Sequence, residues 1–102
     1  MLVRTDIPHA DQVVQACHAC VEAGVRFQHP GNCRMALLCV RDEEALIRAR
    51  ERAENAGIKM QTFFEPDPVD GEDHPMGFTA VCSEPVAGDQ RKVFRKYALW
   101  KG

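Results

Sequence analysis

The sequence predicts an α/β domain built on a mixed four-stranded sheet with helices on both faces. Three observations carry this. Short apolar runs alternate with stretches of helical period. The elements read strand, helix, strand, helix, strand, strand, helix, and strands joined through helices pair in parallel, so the first three should run the same way and the fourth against them. A chain of 102 residues, 45% apolar and 27% charged, has the composition of one globular domain.

Met1–Arg4 reads as the first strand. Pro8 opens a helix where a missing N–H costs little. That helix is expected over residues 9–23, with Gly24 as its stop. Residues 27–34 hold a Pro-Gly turn and read as a loop. Met35–Val40 is a continuous apolar run, as in a strand covered on both faces. Asp42 caps a second helix, with Glu43 and Glu44 in its first turn. It runs to about Ala56 with Ala45, Leu46, Ala49, Ala53 and Ala56 along one side, and Gly57 ends it. Residues 58–64 form the third strand, 65–77 an acidic loop without Lys or Arg, and 78–83 the fourth strand. Residues 89–97 suit a last helix, anchored by Val93, Phe94 and Tyr97.

On the first helix, at about 100° per residue, Ala10, Val13, Val14, Cys17, Cys20, Val21 and Gly24 share one stripe, expected to be buried. Asp11, Gln15, His18 and Glu22 share the opposite side, with Ala16, Ala19 and Ala23 between. Cys17-His18-Ala19-Cys20 therefore does not read as a metal site. Zinc needs converging ligands, and here the thiols and the imidazole point apart; His29 and Cys33 would have to complete a site across a broken helix. No cofactor is expected. Five cysteines, an odd number, read as reduced thiols in a cytoplasmic protein rather than a disulfide framework.

Thirteen basic against fifteen acidic residues, a formal charge of −2, exclude a domain that is basic throughout. No apolar run approaches the roughly 20 residues of a membrane span, and residues 1–24 lack the pattern of a secretory signal. A local basic surface is still expected. Arg91, Lys92, Arg95, Lys96 and Lys101 fall in a segment free of acids, with Arg91/Arg95 and Lys92/Lys96 spaced i, i+4. Tyr97 and Trp100 nearby could stack on bases, and Arg4 is a further phosphate contact.

Arg4-Thr5-Asp6, followed by Gln15-Ala16-Cys17-His18-Ala19, resembles the opening of the type 2 peptidyl-tRNA hydrolase family. That family has Arg-x-Asp after its first strand and Ala-Gln-x-x-His-Ala in its first helix. The resemblance continues through the strand–Asp-Glu-Glu–helix segment at 35–56, Gly57-Ile58, the acidic Glu65, and a Thr-led strand closing on Pro85. Val14-Gln15-Ala16-Cys17-His18-Ala19 with Glu65-Pro66 is most similar to the branch called peptidyl-tRNA hydrolase domain-containing proteins. Asp11 stands where the family has Lys, and a longer acidic loop replaces its Asp-x-Gly-x-Thr.

The resemblance implies a three-layer α/β/α sandwich and hydrolysis of the ester that joins peptide to ribose in peptidyl-tRNA. It implies a catalytic face made of His18, Gln15, Glu65, Asp6 and Thr79, with tRNA as partner. Family members often pair, so a homodimer is also implied. The residue types suit the chemistry. An imidazole can take a proton from water near neutral pH, and amide or hydroxyl donors can meet the developing oxyanion. Two other functions fit the same residues: a non-catalytic RNA- or ribonucleoprotein-binding module, and a hydrolase of small acyl esters unrelated to RNA.

Overall fold

A computed structural model describes residues 1–28 and 34–102. The chain runs β1 (Leu2–Arg4), α1 (His9–Phe27), β2 (Leu38–Val40), α2 (Glu43–Asn55), β3 (Met60–Glu65), β4 (Gly77–Ser83), a 3-10 helix (Gly88–Phe94) and β5 (Ala98–Leu99). His29 and Cys33 lie outside the described residues.

The sheet has five strands in the order β3-β4-β1-β2-β5. β1 and β2 are parallel, while β4 runs antiparallel to both β1 and β3. The first three strands thus share a direction, as expected from their helical crossovers. The fifth strand was not expected. Ala98 and Leu99 pair antiparallel with Cys39 and Leu38, and Trp100 N–H donates to Leu37 O at 2.9 Å. This satisfies backbone groups that β2 would otherwise leave open at an edge.

Successive strand residues face opposite sides of a sheet, and β1 divides the core accordingly. Leu2 joins Leu46, Ala49, Ala53, Ile58 and Val81 under α2. Val3 joins Ala16, Ala19, Ala23, Ala80 and Cys82 under α1. α2 follows its local signals: the Asp42 carboxylate accepts from Ala45 N–H at 2.8 Å, and Leu46, Ala49 and Ala53 are buried. The last helix departs from expectation. It is a 3-10 helix ending at Phe94 with no buried residue, held by partial burial of Val93, Phe94 and Tyr97 against the α2-side core.

α1 departs most. It continues past Gly24 to Phe27, where Gln28 takes a left-handed conformation and donates its N–H to Gly24 O. Arg26 anchors this extra turn by donating to Met60 O and Gln61 Oε1, both at 3.0 Å. The helix is also rotated from the expected orientation. Its buried residues are Gln12, Gln15, Ala16, Ala19 and Ala23, whereas Val14, Val21 and Val25 are 49%, 67% and 79% exposed and Cys17 is exposed. Small side chains let the helix sit close on β3 and β4. The two glutamines can be buried because each has partners. Gln12 Nε2 donates to Thr5 O and Ile7 O, and its Oε1 accepts from Trp100 Nε1 at 2.8 Å.

The rotation has a direct test. Ala19→Leu should destabilise the fold by about 1–3 kcal/mol through overpacking against the sheet. Val21→Lys should change stability by no more than about 0.5 kcal/mol, as an exposed position does. Urea unfolding of the two variants measures both. The opposite ranking would mean that the valine stripe faces the core.

Candidate functional site

A groove of about 380 Å³ opens where the N-terminal half of α1 meets the end of β3 and the loop after it. His18 and Gln15 line it together, as their spacing of three on a helix requires. Glu65, the last residue of β3, lines it too.

Gln15 is 3% exposed and held by Thr79, whose hydroxyl donates to Gln15 Oε1 at 2.8 Å. The amide is thereby oriented. Its Nε2 has no protein acceptor among the described residues, yet it is not sealed from solvent. The donor is left for something in the groove.

Thr79 reaches Gln15 because of a bulge. Phe63 pairs with Ala80, and Phe64 with Phe78, so Thr79 is the extra residue of β4. Regular alternation from Ala80 and Cys82 would turn Thr79 toward α2. The bulge puts Thr79 and Ala80 on the α1 side together. Thr79 is fully buried and does not line the groove, so it acts on the groove through Gln15.

His18 is exposed, and its ring stacks on Phe63 with centroids 4.6 Å apart and planes 8° from parallel. This contact fixes one face of the imidazole and leaves its edge to the groove. Phe63 was not singled out from the sequence, although it sits two residues before Glu65 on the same strand and so shares its face. No carboxylate lies within ion-pair distance of His18 among the described residues. Glu65 therefore shares the groove without touching the ring.

Asp6 is not part of the groove. It binds Arg4 in a fork, with Nε to Oδ1 at 2.6 Å and Nη2 to Oδ2 at 2.8 Å. Arg4 Nη1 also donates to Met76 O at 2.8 Å and lies 3.9 Å from the Glu43 carboxylate. The hydrogen bond that Arg4 donates to Asp6 leads the causes that raise the Arg4 pKa, so the guanidinium is firmly charged and already committed. A phosphate would have to displace Asp6 to reach it.

Asp11, Asp67 and Asp70 join Glu65 around the groove, and no Lys or Arg lines it. The basic side chains of the C-terminal segment lie elsewhere. Arg91 and Arg95 face a second groove beside Leu2 and Leu38, the first residues of β1 and β2, whereas the His18 groove lies toward the opposite end of those strands. Lys92 pairs with Asp89 at 3.2 Å, and Lys96 lies 5.5 Å over the Tyr97 ring. The two i, i+4 pairs do not form one face, because the 3-10 helix does not stack them. Trp100 is folded inward, bonded to Gln12 and stacked on His9.

Among the described residues no three His, Cys, Asp or Glu side chains are grouped to hold a metal, and no helix is long and apolar enough to cross a membrane. The chain matches no family model and no curated protein.

Proposed function

We propose that the chain is a divergent type 2 peptidyl-tRNA hydrolase, cleaving the ester between peptide and tRNA ribose at the His18 groove. The observation that carries this reading is Gln15, an amide whose Oε1 is held by Thr79 and which lines one groove with the exposed His18. His18 takes a proton from water as the oxygen attacks the ester carbonyl. Gln15 Nε2 donates to the oxyanion that forms. Collapse of the intermediate breaks the bond to the ribose oxygen, which takes the proton from His18. The products are a peptide carboxylate and a tRNA with a free ribose hydroxyl. Glu65 lies in the same groove to offset the charge of the imidazolium. Asp6 orders Arg4 at the groove's flank, and tRNA phosphates meet Arg91, Lys92, Arg95 and Lys96.

The core under α1 on one sheet face and under α2 on the other supports the three-layer sandwich that belongs to this reading. A cytoplasmic setting and a homodimer go with it. The thiols Cys17, Cys20 and Cys39, which form no disulfide among the described residues, support the first, and the exposed valines of α1 offer a surface for the second.

One observation favours a second reading, a non-catalytic RNA-binding module. The groove is lined by four carboxylates, while Arg91 and Arg95 sit toward the other end of the strands. RNA held by those arginines alone, with no contact at the groove, would keep its ester away from His18. A cleavage assay on peptidyl-tRNA decides between the two. Release of tRNA supports the hydrolase, whereas salt-sensitive binding without release supports the module.

The role given to Thr79 has its own test. Thr79→Val leaves Gln15 Oε1 without its donor and should cost about 1–3 kcal/mol of stability. It should also lower kcat about tenfold or more, with little change in KM, because the oxyanion donor loses its orientation. Thr79→Ser should recover most of kcat. Equal kcat in all three proteins would remove Thr79 from the mechanism.

A further inference from the structure

The second groove has a chemistry unlike the first. It is larger, about 680 Å³, within the range of small-molecule sites. Leu38, Val86 and Phe94 contribute an apolar floor, and Arg34, Arg91 and Arg95 stand around it. All three arginines are exposed, and none forms an ion pair with a described residue. One acid lines the groove, Glu84, and its carboxylate already accepts from Lys59 N–H at 2.7 Å. The groove is therefore cationic where the His18 groove is anionic.

We infer that this groove binds a small amphipathic anion, an aliphatic body carrying a carboxylate or phosphate head. The occupant follows from complementarity. Guanidinium groups match carboxylate and phosphate oxygens in paired hydrogen bonds. Three guanidiniums around one concavity, none ion-paired with a described residue, give the head several partners. The floor is mostly aliphatic, which suits an alkyl chain better than a base, and its one ring, Phe94, is packed against the α2-side core rather than presented as a stacking platform. Arg91 and Arg95 are held at the end of the 3-10 helix, Arg95 as its cap residue, so they are carried on an ordered element. The site shares no residue with the His18 groove, although Arg91 and Arg95 are also the tRNA contacts of the proposed function, so cleavage at His18 and binding here are measured separately.

Amide NMR spectra of the whole chain, titrated with decanoate and with decyl phosphate, test the inference. Decanol supplies the body without the charge, and inorganic phosphate the charge without the body. Saturable shifts at Leu38, Val86 and Phe94 are expected with either alkyl anion, and the tighter of the two identifies the head. Decanol and inorganic phosphate should each bind at least about tenfold more weakly, as should both alkyl anions to the Arg91→Gln/Arg95→Gln variant, which loses two charge-assisted contacts. Both substitutions are at exposed positions, so the fold should persist. Three outcomes would overturn the inference: decanol binding as tightly as decyl phosphate, shifts centred on Val21 and Val25 of α1, or shifts in the groove with tRNA but with neither alkyl anion.

Discussion

Replacing His18 by alanine should lower single-turnover cleavage of peptidyl-tRNA by about 100- to 10,000-fold, the usual contribution of a general base. The fold should barely change. His18 is exposed, and apart from its helix the ring's packing contact is the stack on Phe63, worth about 0.5–1.5 kcal/mol. This separation makes the experiment decisive, because a catalytic loss cannot be blamed on unfolding. Thermal unfolding of the variant should therefore stay close to that of the parent. Should parent and variant cleave at the same rate, the imidazole has no part in the reaction. If neither cleaves but both bind tRNA in a salt-dependent way, the groove is inherited architecture and the chain is a binding module.

How much of this could be read from the sequence depends on how local each signal is. Most of α2 was legible, since its Asp42 cap and the Leu46, Ala49, Ala53 part of its stripe are properties of one segment, whereas Ala45 is only partly buried and Ala56 is an exposed cap residue. The partnership of His18 with Gln15 was legible for the same reason, as one helical turn fixes it. The facing of α1 was not. Ranking side chains by hydrophobicity puts the valines inside and the glutamines outside. The fold does the reverse, because Trp100 and Thr79, far along the chain, supply partners that make Gln12 and Gln15 burial affordable. Thr79 was singled out, but its route to the groove was not, since a bulge belongs to the pairing of two strands and to neither alone. β5 escaped notice because two residues carry too short a pattern, and the 3-10 helix because the spacing of its apolar anchors fits an α-helix as well.

Gly77→Ala should be the most damaging single change of stability outside the two hydrophobic clusters, at about 2–4 kcal/mol. Gly77 begins β4 at φ +88°, a left-handed conformation that a Cβ penalises by about 1–2 kcal/mol. The larger effect comes from Glu43. A Cβ on Gly77 would overlap the Glu43 carboxylate, which accepts from Phe78 N–H at 2.7 Å and lies 3.9 Å from Arg4 Nη1. Alanine must push that carboxylate aside. The Phe78 N–H then loses its acceptor, and Arg4, which ties β1 to the start of β4 through Met76 O and Phe78 O, loses a counter-charge. For a chain of this size the melting temperature should fall by roughly 10–20 °C. A double-mutant cycle with Glu43→Ala separates the two causes. The strain of the left-handed backbone persists without Glu43, whereas the overlap disappears. The double variant should therefore be more stable than the sum of the single changes predicts, by about 1 kcal/mol or more. Strict additivity would mean that Glu43 does not occupy the space above Gly77, and the junction between α2 and β4 would need another explanation.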